Sequence, residues 1–595
     1  MSVLETPRVY FKGEITWDPI TTNNYSTNYD ESSGDTIYPS VLDQVQAFRK
    51  QAITQVSTAG NWNPHGTHRA TFYAATVNGY DMGDGLETRD PLVSLPVNFT
   101  GKLVDLEPFG AYTSQLFFDS MQFGISGGYR ISAPRTSRFT ARYINFARNR
   151  VNKMIAGVAS AVWQTSFAKT DGLSVDAYDS PTLQSLAKKL EDDEVLGLTV
   201  RFNTYRTIYY DNPELTNGSP TTKAEAQALR AKLNDGGFQP NPARSLLVGV
   251  VGLWRRFEPA HEPAERTLIQ APNSPLGSAY IRQEGSQLIF DLSNSVPEVD
   301  KDLKKAPLGT LSVVAVNPTD QSATELGTIE YAQYDRAAYE SSAGIVTVKS
   351  SPQTAHLLSQ QNIQLRQADK TVLLSESPLR AIPLIPNLYL DEGQQGAASF
   401  QLYKSGQPFA SKLPVTLYQL DPNGNVLSTS TFQSDATGVI SLPLRATTGQ
   451  IVAFVPSLSA DDQPGQGINP QVNTYMYFRV CPADSATAAL PPTWSNIYTK
   501  VLANWNAMAP CMDNWLRLDD PAQIKAYGTI LKRLTDPAAF ESFRFMPVTR
   551  DMSAGQRTLL YKFLDANAEE TVDLTAEEPA ERRSFAELSR AMRRG

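Results

Sequence analysis

Two histidines three residues apart are the side chains in this sequence best suited to bind a metal ion. His65 and His68 lie in a polar stretch, and Asp81 and Asp84 follow a short distance along the chain. Imidazole and carboxylate groups can share a zinc or iron ion when a helix presents them on one face. A proline and a glycine next to the histidines disfavour a helix. Two interpretations therefore stay open: a metal site that includes His65 and His68, and a polar loop with ordinary hydrogen bonds.

Four consecutive acidic residues precede one apolar segment, and two arginines end another. Paired carboxylates such as those of residues 191–194 can transfer protons or bind a hard cation. Neighbouring side chains diverge, however, which favours a solvated loop. Arg255 and Arg256 could bind a substrate carboxylate in a bidentate manner. The alternative, which their position at a strand end favours, is an ion pair with the acidic residues 191–194.

Cysteine chemistry is limited in this chain. Cys481 and Cys511 are its two cysteines, so a zinc site built on cysteine is excluded, and no disulfide framework beyond a single bridge is possible. Cys511 has no histidine nearby in sequence, which favours a buried and unreactive thiol. The sequence also contains no phosphate-binding loop, dinucleotide fingerprint or Gly-x-Ser-x-Gly motif.

The elements that must position these residues are mainly strands. Val9 and Phe11 alternate with polar residues, and Leu198 and Val200 do the same, which predicts strands with one buried face. Residues 248–254 are apolar on both faces and predict a central strand. Residues 142–163 have mixed spacing and stay ambiguous, whereas residues 221–234 predict a short helix.

In the second half of the chain, the sequence pattern predicts first a β-rich domain and then a helical one. Short strands and turns, including the hairpin turn at 421–425, predict an immunoglobulin-like β-sandwich at residues 385–485. Apolar residues at helical spacing, with capping signals at Asp520 and Ser553, predict a helical domain at 490–567.

The predicted fold class is therefore multidomain and mainly β. It comprises a large N-terminal β-rich region at 1–380, which could hold two subdomains, then the β-sandwich, the helical domain and an acidic, Ala-rich tail at 568–595.

Composition narrows the function classes. The 595 residues carry a formal net charge of −8, which does not favour a nucleic-acid partner. No apolar run approaches the roughly 20 residues that span a bilayer, and the first residues lack the pattern of a secretory signal. We therefore expect a cytoplasmic protein with free thiols.

Seven segments of this chain resemble, in order, parts of the VioB and RebD type of imine dimer synthases, which couple two aromatic imino acids oxidatively. The segments are residues 6–13, 83–86, 190–200, 248–256, 307–309, 387–390 and 546–553. The resemblance covers the N-terminal region of those enzymes and implies a following ferritin-like helical domain with iron ligands. It also implies haem or iron as a cofactor. None of these ligands can be placed on a residue of this chain, and the matching segments look architectural.

Two main hypotheses for function follow. In the first, the chain is a non-catalytic scaffold or binding protein derived from the N-terminal region of imine dimer synthases, with a protein partner or a small aromatic ligand. In the second, it is a subunit of a split coupling enzyme whose ferritin-like iron domain lies on another chain. A weaker alternative is carbohydrate binding or hydrolysis, since abundant Tyr and Trp would suit stacking on sugars.

Overall fold

The computed structural model describes most of the chain in atomic detail. The described residues are 3–17, 29–30, 35–36, 69–105, 114–133, 140–148, 159–208, 243–297, 305–330, 336–351, 356–421, 424–508 (except 461, 466 and 470), 516–548 and 550–566.

The first sheet has eleven strands and is antiparallel throughout its described pairings. The strands up to this point in the chain are β1 (Arg8–Trp17), β2 (Tyr29–Asp30), β3 (Asp35–Thr36), β4 (Arg69–Asp81), β5 (Leu86–Glu87), β6 (Val97–Asp105), β7 (Ser114–Gly124), β8 (Arg130–Ala133), β9 (Thr140–Arg148), β10 (Ala159–Ala168), β11 (Ser174–Asp176), β12 (Val195–Ile208) and β13 (Ala243–Arg255). Strands β2 and β3 pair only with each other, and the order of the main sheet is β11-β8-β7-β6-β4-β1-β13-β12-β10-β9, with β5 beside β4. Strand β7 also pairs with β9, so eight strands close into a ring.

The ring is filled by apolar side chains that point inward. Phe99 contacts both Phe72 and Phe118 with ring centroids 4.7 Å apart, and Phe11 and Phe202 belong to the same cluster. Large aromatic side chains supply much of the burial that stabilises such a core. The interior of the ring is therefore a packed core of its own.

The second sheet has eight strands, in the order β18-β17-β20-β21-β14-β15-β16-β19. They are β14 (Arg266–Gln270), β15 (Ala279–Glu284), β16 (Gln287–Asp291), β17 (Thr310–Val316), β18 (Ala323–Glu330), β19 (Ile345–Lys349), β20 (Asn362–Arg366) and β21 (Val372–Ser377). Its own cluster of buried residues includes Leu268, Phe290 and Leu365.

Two smaller sheets share one core and form a sandwich. Their strands are β22 (Leu379–Pro383), β23 (Asn387–Asp391), β24 (Gln395–Lys404), β25 (Gln407–Pro408), β26 (Pro414–Leu420), β27 (Val426–Gln433), β28 (Val439–Arg445), β29 (Gln450–Ser457) and β30 (Met476–Cys481). One sheet has the order β22-β24-β25 with β28 beside β24, and the other has the order β23-β30-β29-β26-β27. Phe400 of the first and Phe478 of the second lie in the shared cluster.

Most described helices lie after this sandwich. The α-helices are α1 (Pro181–Leu190), α2 (Arg336–Ser341), α3 (Ser485–Ala488), α4 (Trp494–Ile497), α5 (Ala503–Met508), α6 (Pro521–Ala526), α7 (Gly528–Leu534) and α8 (Ala554–Asp565). The predicted caps are present: Asp520 accepts two backbone hydrogen bonds at the start of α6, and Ser553 with Gln556 forms the capping box of α8. No helix among the described residues is both long and apolar enough to cross a bilayer.

The predicted fold class, multidomain and mainly β with a large N-terminal β-rich region, is confirmed. The hairpin predicted at 421–425 joins β26 to β27, with Gly424 at a φ of 84°. The exact domain boundaries stay predictions. The ambiguous stretch 142–163 includes parts of β9 and β10, with 149–158 outside the described residues, and the helix predicted at 221–234 also lies outside them.

The structure corrects the predicted burial of two strands. On the second face of β1, Arg8 and Tyr10 are 1% and 2% exposed, although that face was expected to be exposed. Strand β12 was expected to expose its polar face, yet Thr199 and Arg201 are 4% and 3% exposed. The reason is that the second sheet covers this face and supplies charged partners for Arg201. Both faces of β12 are therefore buried.

Candidate functional site

Ionisable side chains are concentrated in the connection between β13 and β14, residues 256–265. This segment contains the repeated sequence Glu-Pro-Ala, and His261, Glu262 and Glu265 within it are 0%, 6% and 4% exposed. Buried charges are costly unless they are paired and hydrogen-bonded. The surroundings of this connection must therefore supply partners.

Arg201 of β12 supplies one of them and links the first sheet to the second. Its guanidinium donates to Glu265 at 2.7 Å, to Asp291 of β16 at 3.0 Å and to Gln164 of β10 at 2.8 Å. Burial alone would lower the pKa of Arg201, but the two carboxylates outweigh burial and raise it. The network fixes Glu265 at the junction of the two sheets.

Two further arginines hold the same connection. Arg266 makes a bidentate pair with Glu376 at 2.9 and 2.6 Å and also donates to two backbone carbonyls. Arg380 donates to the carbonyl of Pro263 at 2.9 Å and to Glu262 at 3.3 Å. The segment is thus fixed by buried, charge-assisted hydrogen bonds, which are the stronger kind.

Glu258 differs from the other acids of the connection. Its Oε2 accepts a hydrogen bond from the backbone N–H of Arg255 at 2.9 Å, while its Oε1 is buried and has no hydrogen-bond partner within the described residues. Burial, with Glu265 adding to it, raises the pKa of Glu258 to about 8. This carboxyl group is therefore largely protonated at neutral pH and can act as a hydrogen-bond donor.

A groove lies where this connection meets the second sheet and the turn between β24 and β25. Its volume is about 740 Å³. We call it the basic groove, because its lining includes Arg266, Arg282, His356 and Lys404. Apolar groups, among them Phe409, line the same space.

The charges of the basic groove are not fully balanced by ion pairs. Arg266 pairs with Glu376, and Glu265 shares Arg201 with Asp291. Arg282 forms no salt bridge among the described residues, but its charge acts on the nearby Glu5 and Glu258, and its Nε is buried without a hydrogen-bond partner in that part of the chain. Lys404 lies 5.3 Å from the ring centroid of Phe409 and forms no salt bridge with a described carboxylate. The groove can therefore attract an anion that also carries an apolar group.

The wall of the basic groove depends on a close backbone approach at Gly406. This residue has a φ of 78°, and a Cβ built there would lie 2.9 Å from the backbone N of Arg266. Only glycine meets both demands without strain. The β24–β25 turn can therefore pack directly on the chain that carries Glu265 and Arg266.

The candidate metal ligands from the sequence do not form a described site. His65 and His68 lie outside the described residues, so the metal site there stays a prediction. Asp81 is occupied by structural bonds: it pairs with Arg8 at 2.6 Å and accepts from the N–H of Gly83 at 2.7 Å. Asp84, the other candidate ligand, is exposed.

The acidic residues 191–194 and the two arginines come together as ion pairs. Arg255 lies 3.5 Å from Asp192, and Arg256 lies 3.4 Å from Glu194. Arg255 also makes a bidentate bond to Glu5 at 2.8 Å. These contacts support the interpretation that the charges form ion pairs with one another.

One of the two cysteines lies within the part of the chain that the structure describes. Cys511 lies outside the described residues. Cys481 is buried, contacts the hydroxyl of Tyr389 at 2.6 Å, and has its pKa raised to about 12 by burial. Its thiol is protonated at neutral pH and unsuited to nucleophilic attack.

Sequence reasoning missed the connection between β13 and β14. Glu258 and His261 have a Glu-x-x-His spacing, a pattern that can bind iron when a helix presents both side chains. Here the spacing occurs in an irregular, proline-containing segment rather than on a helix. Within the described ranges, no three His, Cys, Asp or Glu side chains are placed to hold a metal ion, so those residues do not fit the implied iron. The Glu-Pro-Ala repeat was the signal that could have drawn attention to this segment.

The fold and these contacts define a mainly β, multidomain protein whose buried ion pairs join separate sheets. No family model matches the chain. The 2-imino-3-(indol-3-yl)propanoate dimerase of Chromobacterium violaceum is 26% identical over 429 residues, which cover 68% of this chain and 37% of that enzyme. The chain is distantly related to this dimerase, in agreement with the resemblance of the seven segments, and spans well under half of its length.

Solved structures show only weak likeness. The CARDB domain of a Pyrococcus furiosus protein is 8% identical, covers 17% of this chain and 87% of its own, and has a TM-score of 0.11. Trypsin-activated alpha-2-macroglobulin from Escherichia coli is 12% identical, covers 48% of this chain and 15% of its own, and has a TM-score of 0.14. Similarity at this level supports no conclusion about function.

Proposed function

We propose that this chain is a non-catalytic binding protein related to imine dimer synthases, and that its basic groove binds a small aromatic 2-oxo or 2-imino acid. The observation that carries the proposal is that Arg282 and Lys404, which form no salt bridge with a described carboxylate, line one groove together with Phe409. A carboxylate would pair with the cations, and an aromatic ring would contact the apolar lining. The dimerase to which the chain is distantly related is named for an indolyl imino acid, which has both groups.

Arg282 is the residue expected to hold the carboxylate. Its buried Nε points to a hydrogen bond that the described residues leave unmade. A carboxylate in the groove would pair with the guanidinium of Arg282, and a charge-assisted bond of this kind contributes about 1.5–3 kcal/mol. Losing it should weaken binding by roughly tenfold or more, since about 1.4 kcal/mol corresponds to one factor of ten.

The test is a calorimetric titration of the full chain with indole-3-pyruvate and with phenylpyruvate, the stable oxo acids. Arg282→Met is expected to weaken binding at least tenfold, whereas Arg445→Met, which changes an exposed arginine on β28, should leave it unchanged. Absence of binding by the wild-type chain, or equal losses in the two variants, would refute the proposal.

The non-catalytic part of the proposal has its own test. The aromatic imino acid can be generated in place from L-tryptophan by an amino-acid oxidase, in parallel samples with and without catalase, so that one set keeps the hydrogen peroxide by-product as an oxidant. The chain alone should then yield no coupled dimer by mass spectrometry. Dimer formation that depends on this chain alone would show that it is an enzyme.

The distant relationship to the dimerase also favours a second candidate function, a subunit of an oxidative coupling enzyme. In that case the basic groove would hold one substrate while a second chain with a ferritin-like iron domain carries out the oxidation. Mixing the two chains should produce dimer that neither produces alone. The Arg282→Met variant should then raise KM more than it lowers kcat, because it removes a binding contact.

A further inference from the structure

Strand β27 is an unprotected edge of its sheet. It pairs with β26 on one side, and no other described strand pairs with its second side. Seven of its eight residues are exposed, including Val426 at 45% and Leu427 at 54%. A free edge presents unpaired backbone N–H and C=O groups, which form a template for another strand.

The sequence of β27 lacks the features that normally prevent edge pairing. Residues 426–433 read Val-Leu-Ser-Thr-Ser-Thr-Phe-Gln, without charge, proline or glycine. Proteins usually protect an edge with charged side chains, proline, a bulge or a very short strand. The only bulge in β27 lies at its first residues, and the register from Ser428 to Gln433 is uninterrupted.

Other edges in the same chain do carry such protection. Strand β18 contains Glu325, Glu330 and a glycine, and β28 contains Pro443 and Arg445. The short strand β25 has two residues, one of which is a proline. The edge of β27 therefore differs from these three described edge strands.

We propose that β27 pairs antiparallel with β27 of a second copy of this chain, which joins two sandwiches into a continuous sheet. The occupant is a second copy because a neutral, Ser- and Thr-rich strand can face itself without charge repulsion. Each chain carries a net charge of −8, so two copies approach best at an uncharged edge. An antiparallel pair is also compatible with twofold symmetry, the commonest symmetry of homodimers.

The interface is expected to be small, because one strand pair buries little surface. Association should therefore be weak and concentration-dependent. The pairing is independent of the basic groove, which lies against β14, β15 and the β24–β25 turn.

Sedimentation velocity of the full chain over a range of concentrations tests the proposal. The wild type should shift from one to two chain masses as concentration rises. Ser430→Lys places like charges near the twofold axis and should abolish the shift, and Thr429→Lys should do the same from the other face of the strand. Ser441→Lys, on the proline-containing edge strand β28, is the matched control and should behave like the wild type.

Two further measurements separate the possible outcomes. Circular dichroism with a thermal midpoint checks that the lysine variants remain folded. Hydrogen exchange should show that residues 428–433 gain protection as wild-type concentration rises. A wild type that stays monomeric, or a dimer that survives both lysine substitutions, would overturn the proposal; so would protection that appears only when a different protein is added.

Discussion

At the scale of single residues, Glu258 shows how position changes the chemistry of an ordinary side chain. Its neighbours in sequence, Glu262 and Glu265, are buried beside arginines that keep them paired. Glu258 instead accepts one backbone hydrogen bond and has a second oxygen buried without a bonding partner among the described residues. Loss of hydration therefore dominates and raises its pKa to about 8.

This raised pKa predicts a pH-dependent stability. The folded-state pKa exceeds the ordinary value of 4.5, so the stabilising contribution of protonated Glu258 is complete below pH 4.5 and is lost as the pH rises through about 8. Glu258→Gln stays neutral and avoids this loss. Between pH 5 and pH 9, the free energy of unfolding of the wild type should fall by roughly 2–4 kcal/mol relative to that of the variant. Urea unfolding over this pH range measures the difference.

The exposed Glu325 on β18 provides the control for this experiment. Glu325→Gln should follow the wild type at every pH. If the free energy of unfolding of Glu258→Gln changes with pH in the same way as that of the wild type, the raised pKa of Glu258 is contradicted.

Cys481 provides a second prediction at this scale. Burial raises its pKa to about 12, so its thiolate is scarce at neutral pH. In the native chain it should resist alkylation by iodoacetamide at pH 7.5, and it should react only after unfolding. Peptide mapping by mass spectrometry separates its signal from that of Cys511; rapid native labelling of the peptide with Cys481 would disprove the inert assignment.

At the scale of elements, the β24–β25 turn decides whether the basic groove exists. Gly406 lets the turn contact the backbone of Glu265 and Arg266 directly. The groove is thus built from a short turn and a chain connection rather than from one regular element. Such a contact is sensitive to a single methyl group because both surfaces are backbone.

Gly406→Ala is therefore expected to destabilise the chain by about 2–4 kcal/mol and to weaken oxo-acid binding. The residue combines a positive φ with a contact that has no room for a Cβ. Gly393→Ala separates the two effects, since Gly393 has a φ of 92° and no atom within 4 Å of the added Cβ. Thermal unfolding and calorimetric titration of both variants give the comparison, and an equal effect on binding would exclude the contact as the cause.

At the scale of the whole molecule, buried arginines connect units that each have their own core. Arg201 joins the first and second sheets. Arg550 donates to the carbonyls of Phe540, Val548 and Ser542 at 2.8 to 3.1 Å, and its guanidinium lies 3.5 Å from the ring centroid of Phe117 in the first sheet. The family-like segment 546–553 contains Arg550, and segment 190–200 ends one residue before Arg201.

Removing the charge of Arg201 should therefore weaken the contact between the two sheets. Arg201→Met leaves the carboxylates of Glu265 and Asp291 buried without their cation, and a broken pair of this kind costs about 3–5 kcal/mol. Arg517→Met, which removes an exposed pair with Asp519, should cost at most about 1 kcal/mol. Chemical unfolding of both variants measures the difference, and similar small losses would show that the Arg201 network is not a major link between the sheets.

The sequence by itself determined the mainly β fold class, the central position of β13, the hairpin at Gly424 and the caps at Asp520 and Ser553. These features depend on side-chain alternation, backbone preference and local hydrogen bonds, which act between residues close in sequence. Only the tertiary structure decided that Arg201 is buried, that the pKa of Glu258 is raised, and that Arg282, Lys404 and Phe409 share one groove. Those properties depend on which distant segments exclude water from a charge, because burial and pairing are set by contacts between residues far apart in the chain.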